Sequence, residues 1–230
     1  MPVKKIILNT CLLVIVFSFQ AKAQSTDTRP GTDRVSGGLL YIYQYTEIQG
    51  TAFLNDQWQT ARIILENGGE VKSAQLKFDA YSNKFIFLRN DSSFELSSKI
   101  KAVIFYPDKN DTTNKMIFKQ NFAINGQINV NKYIQVLAEG KISLLKVYVK
   151  DIEEYTEYGN ANKFKRFNDR EQYFIYENGQ YNSVNISKKN FEKLLKGKSA
   201  ELDNFIKQKD LSGKEEKDWA DAINYYNSLN

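Results

Sequence analysis

A chain of 230 residues that is 42% apolar, 26% charged and 13% aromatic has the make-up of a globular protein, not of a disordered or collagen-like one. It has no histidine, and its one cysteine, Cys11, falls within the first 23 residues, which read as an export signal, so the exported chain would have neither residue type. That excludes Ser-His-Asp and Cys-His nucleophiles, zinc or haem held by histidine or thiolate, iron–sulfur clusters, disulfides and histidine pH switches, and leaves carboxylates, Lys, Tyr, Ser and Thr for any chemistry.

The export signal has a charged start at Lys4 and Lys5, an apolar stretch over 6–17 broken by Asn9 and Thr10, and Ala21-Lys22-Ala23 ahead of Gln24. Small residues at both positions read by a signal peptidase predict cleavage between Ala23 and Gln24, which places the mature protein in the periplasm or outside the cell. The apolar stretch falls short of the ~20 residues a spanning helix needs, so no stable transmembrane insertion is expected. Losing Lys4, Lys5 and Lys22 takes the net charge from +5 to +2, which removes the main argument for a nucleic-acid partner.

Residues 24–38 are rich in Ser, Thr, Asp, Gly and Arg, contain Pro30, and read as a flexible leader. From 39 to 186 short aromatic and β-branched runs alternate with turn signals. The runs are 39–48, 58–65, 71–78, 84–88 and 100–106, then 115–124, 132–138, 141–150, 172–176 and 181–186. Asn67-Gly68-Gly69 is the strongest hairpin turn, and Asn125-Gly126, Glu139-Gly140 and Asn178-Gly179 are others, because Asn and Gly tolerate positive φ. Pro107 ends a strand, and the polar run 108–114 reads as a loop. The pattern predicts a mainly β protein, α+β overall, built as an antiparallel meander, sandwich or barrel-like sheet.

After Ser187 the apolar period changes to that of a helix, and residues 187–230 predict a three-helix cap packed on the β domain. Ser187 caps a stripe of Phe191, Leu194 and Leu195 that stops at Gly197, and Ser199 caps one of Leu202, Phe205 and Ile206. Ser212-Gly213-Lys214-Glu215 reads as a capping box ahead of Trp219, Ile223 and Tyr226. This last stripe has two uses: packing on the sheet, or docking a partner.

Several stretches resemble an uncharacterised family of exported Bacteroidetes proteins. They are the signal ending in Ala23-Gln24, Leu40-Tyr41-Ile42-Tyr43, the run from Leu76-Lys77-Phe78-Asp79 to Phe85-Ile86-Phe87, and the tail from Ser187-Lys188-Lys189 to Asn224-Tyr225-Tyr226-Asn227. The resemblance implies export, a β-rich body and a short helical C-terminal end. It carries no catalytic residue.

Trp58, Tyr155, Tyr158, Phe164 and Phe167 are candidates for an aromatic platform against a glycan or small ligand, set against the alternative that they pack in the core or across strands. The stretch 151–170 carries its acids first (Asp151, Glu153, Glu154, Glu157) and its bases second (Lys163, Lys165, Arg166, Arg170), as in a hairpin whose arms pair their charges. Carboxylate hydrolysis would need two of Glu47, Asp56, Asp79 and Glu95 to converge across a cleft. No motif calls for a metal or a cofactor. The leading expectation is an exported, non-catalytic envelope protein that binds a protein or other envelope component through a sheet edge, aromatic patch or helical stripe. The alternatives are a glycan or small-ligand module and, behind it, a carboxylate hydrolase.

Overall fold

The computed structural model describes residues 45–107, 114–122, 124, 130–159 and 162–229, together with the backbone of Gly37–Leu39. The export signal with its Ala23–Gln24 junction, the leader up to residue 36, most of the loop after Pro107 and the Asn125-Gly126 turn lie outside the described residues.

Alternation of buried and exposed positions in short runs, punctuated by positive-φ turns, makes antiparallel strands the dominant element. They are β1 (Gly37–Leu39), β2 (Ile48–Gln49), β3 (Gln59–Leu65), β4 (Glu70–Asp79), β5 (Lys84–Arg89), β6 (Ser92–Leu96) and β7 (Ile100–Phe105), followed by β8 (Met116–Lys119), β9 (Ile134–Ala138), β10 (Ile142–Thr156), β11 (Lys163–Glu177) and β12 (Gln180–Val184). All join one sheet in the order β1-β6-β5-β4-β3-β7-β8-β9-β10-β11-β12, with β2 pairing β11 in parallel. Two meanders thus meet where β7 returns beside β3. Sequence neighbours pair almost throughout, and the sheet does not close into a barrel.

The sheet curls, because rings from strands far apart in that order meet on its concave face. Phe85 of β5 and Phe118 of β8 lie 5.7 Å apart, and Phe78 of β4 lies 4.8 Å from Phe118. A core rich in phenylalanine fills the curl, with Phe78, Phe85, Phe105 and Phe118 all at most 2% exposed. Where the curl stops short of closure, an asparagine side chain stands in for a strand. Asn83, at φ 57° in the β4–β5 turn, accepts from the Tyr133 N–H at 2.7 Å and donates to the Tyr133 carbonyl at 3.1 Å.

Helices α1 (Lys188–Leu195), α2 (Ala200–Gln208) and α3 (Glu216–Ser228) cover the far end of the same face. Among the described residues no helix is long and apolar enough to cross a membrane. Ser187 and Ser199 accept from the Asn190 and Leu202 amides, as their positions predict. The capping box expected at 212–215 does not form. Helix α3 begins after Glu215 without a side-chain cap, and the Asp218 carboxylate instead accepts from the Ser212 hydroxyl at 2.8 Å and the Gly213 N–H at 2.9 Å. That bend lets the Gly213 carbonyl accept the Trp219 indole N–H at 2.9 Å. Gly213, at φ 72°, has no room for a side chain, since a Cβ would overlap the Phe191 ring.

The stripe of Trp219, Ile223 and Tyr226 is buried against Ile142, Leu144 and Ile175 of the sheet and against Phe191. It is therefore core and offers no surface to a partner. Two strand expectations also change. The run 39–48 is not one strand: Leu39 ends β1, which starts at Gly37 within the expected leader and pairs with β6, and a turn at 45–47 leads into β2 on β11, residues 40–44 lying outside the described residues. Strands β10 and β11 continue through the charged stretch to Thr156 and Lys163, 15 residues each.

Asn227 repeats the device of Asn83. Beyond the end of β9 its carboxamide accepts from the Ile142 N–H at 3.0 Å and donates to the Ile142 carbonyl at 2.8 Å. Replacing Asn227 with Ala leaves both backbone groups of a fully buried residue without partners, and is expected to cost about 1–3 kcal/mol. Urea denaturation measures the loss, and accelerated amide exchange at Ile142 locates it. An unchanged midpoint would mean that water replaces the side chain.

Candidate binding site

The aromatic candidates do not form one platform, and strand periodicity explains why. Phe164 and Phe167 stand three apart on β11 and so face opposite sides of the sheet. Phe164 pairs across the ribbon with Tyr155, ring centroids 5.7 Å apart, and Arg166 lies over Tyr155. Phe167, on the other face, packs edge-on with Tyr45 and Tyr81 at 5.6 and 5.5 Å. Tyr158 is fully exposed in the hairpin loop, and Trp58 sits elsewhere, under the Lys77 ammonium with Phe53.

The ribbon of β10 and β11 beyond Tyr148 pairs its own charges. Glu153 meets Arg166 and Lys150 meets Asp169 directly opposite, with Arg170 on Asp151 and Lys163 on Glu154 diagonally. Such pairs contribute ~0–1 kcal/mol each, but they leave few basic groups for a polyanion. A segment from Tyr45 to Leu54 straps the ribbon to the curl. It pairs with β11 through β2, accepts the Lys150 ammonium at the Thr51 carbonyl, and joins the end of β4 through Leu54 and Ala52. The Tyr45 hydroxyl donates to buried Asp79, and burial with that carboxylate's charge pushes the phenol up to about 12.

Three of the four candidate carboxylates are engaged with separate partners. Asp79 holds Tyr45 and the Ser82 N–H, Asp56 accepts from Thr51, Glu95 pairs with Lys84, and Glu47 is exposed. The acidic pair that does converge, Glu171 and Glu216, is one the sequence does not suggest. Both carboxylates lie 2.8 Å from the ammonium of Lys146 on β10, which is 8% exposed. The Tyr173 hydroxyl reaches both, at 2.7 and 2.8 Å, and its single proton serves one at a time. Burial alone would push the Lys146 ammonium down, but the hydrogen bonds to Glu171 and Glu216 hold it above its ordinary value. Burial likewise raises Glu171, and its bonds from Lys146 and Tyr173 overcome that and bring it below the usual carboxylate range. Tyr148, beside them, is pushed up to about 12 mainly by burial and donates to Gln135 at 2.6 Å. These carboxylates act as counter-ions to a lysine and tie the first turn of α3 to the sheet.

Two grooves open at the helical end. The larger, about 640 Å³ between α2 and α3, has most of its polar groups engaged, Lys209 being the exception among the described residues. Lys217 pairs with Asp221, Asp218 holds the α3 loop, and Phe205 and Tyr225 stack on each other at 4.0 Å. The second, about 480 Å³, lies between the β11–β12 end of the sheet and α1. Its floor is Ile175, Val184 and Leu194, and its rim carries the carboxamides of Asn178, Gln180, Asn182, Asn185 and Asn190. Asn190 is used, donating to the Asn185 carbonyl at 3.0 Å, but the side chains of Asn178, Gln180 and Asn182 are exposed and engage no other group among the described residues. Glu177 is neutralised by Lys198 at 2.6 Å, which leaves Lys193 as the groove's uncompensated charge among the described residues. The sequence signal for this site is five carboxamides between 178 and 190, easily read as turn residues alone.

Compared with known families, curated proteins and solved structures, the chain matches none of them.

Lys146→Met is expected to lower stability at pH 7 by about 1–3 kcal/mol, less than stripping one partner from a fully buried pair, because the Glu171 side chain is 47% exposed and can hydrate. Glu171 is depressed in the fold, so its contribution is present above its ordinary value of 4.5 and lost as pH falls through the lower folded value. The deficit of the Met variant should therefore narrow below pH 4.5 in denaturation series. A deficit independent of pH would make it a packing effect.

Proposed function

We propose that this is an exported, non-catalytic protein of the cell envelope that holds another envelope component in the groove between β12 and α1. The observation that carries the reading is the three unengaged carboxamides of Asn178, Gln180 and Asn182 on the rim above an apolar floor, a combination of orienting polar groups and dry contact area that suits a binding site. Export rests on the charged start, apolar stretch and Ala21-Lys22-Ala23 of the sequence. On this reading the chain stands with the exported Bacteroidetes proteins that its motifs resemble. The non-catalytic part is supported by the converging carboxylates, Glu171 and Glu216, being held as counter-ions of Lys146.

In the native host, a photo-crosslinking residue at Asn182 is expected to give a reproducible adduct with an envelope component, and the same residue at Lys163, on the distal ribbon, none. Equal labelling at both positions, or none at either, would sink the groove as the site. The exported form is expected to begin at Gln24, which its intact mass reports; a mass retaining the first 23 residues would contradict the export reading.

A further inference from the structure

We propose that the occupant of this groove is an extended polypeptide segment bearing an acidic side chain, read mainly through its main chain. The inference rests on the groove being the binding site and names the chemistry it takes. A carboxamide offers an acceptor and two donors in one plane, which matches the N–H and C=O of a peptide. This molecule already uses that match twice, Asn83 on the backbone of Tyr133 and Asn227 on that of Ile142, each by a reciprocal pair of bonds. The groove presents the same group at Asn178, Gln180 and Asn182, spaced two apart along the β-turn and β12. Gln180 and Asn182 lie on one face of the strand, so their spacing is close to that of alternate residues in an extended chain, ~6.6 Å.

The floor decides between a polypeptide and a glycan. Sugar rings are held by stacking on aromatic faces, whereas Ile175, Val184 and Leu194 are aliphatic and suit the side chains that an extended peptide turns inward. The charge decides the peptide's character. With Glu177 occupied by Lys198, the exposed Lys193 in the last turn of α1 favours a carboxylate opposite it. β12 has five residues, so a segment of about five to seven residues spans the site.

The test is competition binding to the exported form of the full chain. Its probes are fluorescent seven-residue peptide pools with a central Asp or Glu, matching pools with a central Asn or Gln, acidic pools N-methylated on the central main-chain amides, and pooled oligosaccharides from chitin and peptidoglycan. The acidic pool should bind about threefold tighter than the amide pool, the size of effect a solvent-exposed charge pair gives. Lys193→Gln should bring that ratio to one without abolishing binding, and N-methylation should weaken binding about tenfold. Asn182→Ala should weaken both peptide pools alike with an unchanged melting temperature, since Asn182 is exposed. Equal affinity for acidic and amide pools, or indifference to N-methylation, overturns the inference. Oligosaccharide binding lost in Asn182→Ala, with no peptide bound, overturns it while leaving the groove as the site. Failure of every pool together with no adduct at Asn182 removes both.

Discussion

A single lysine side chain, set between two apolar cores, governs how the helical end sits on the sheet. Along one face of β10, Leu144 belongs to the core under the helices, Tyr148 to the core within the curl, and Lys146 falls between them. An ammonium in that position is costly to desolvate unless its charge is matched, and the match comes from Glu171 on the next strand and Glu216 at the start of α3. The second of these fixes α3 against the sheet. Trp219 of α3 then packs on Phe191 of α1, and α1 forms the wall of the groove opposite β12. Together with the buried stripe of α3 and Asn227, this contact links the sheet through α3 and α1 to the groove.

The sheet poses a second requirement. A curled sheet that stops short of closure leaves N–H and C=O groups along its rims, and buried backbone groups without partners are expensive. The sequence meets this with short side chains rather than more strand. Asn83 and Asn227 each reproduce one residue's worth of ladder at a place where no strand continues, and the Tyr45–Leu54 strap ties the projecting ribbon back to the end of β4. The Asn83 position also needs positive φ, which asparagine tolerates better than most residues.

Where local chemistry decides the structure, the sequence is readable. Asn178 and Gly179 take φ values of 53° and 80° in a two-residue turn, and Ser187 and Ser199 cap helices with apolar stripes at the expected spacing. It misleads where distant groups decide. Strand β6 is hidden because Asn90-Asp91, both at positive φ, forms a tight turn without the glycine that usually marks one. The continuation of β10 and β11 to Thr156 and Lys163 is hidden because both faces of that ribbon are largely charged, so no buried-exposed alternation marks it. Lys146 reads as a polar break in an apolar strand, and nothing nearby points to Glu216, which completes its environment. The aromatic residues of the 151–170 stretch look like neighbours in sequence, yet strand geometry divides them between two faces.

The two polar systems of the molecule differ in how they respond to protons. The Lys146 cluster depends on ionised carboxylates, so acid weakens it as Glu171 is protonated. The polar groups on the rim of the groove are mainly carboxamides, which do not titrate. With no histidine in the chain, no side chain changes charge near neutrality by its ordinary chemistry. On the proposed reading, the carboxamide contacts of a segment at the groove do not change with pH. Acid would act there on the proposed segment's own carboxylate, and within the fold on Glu171.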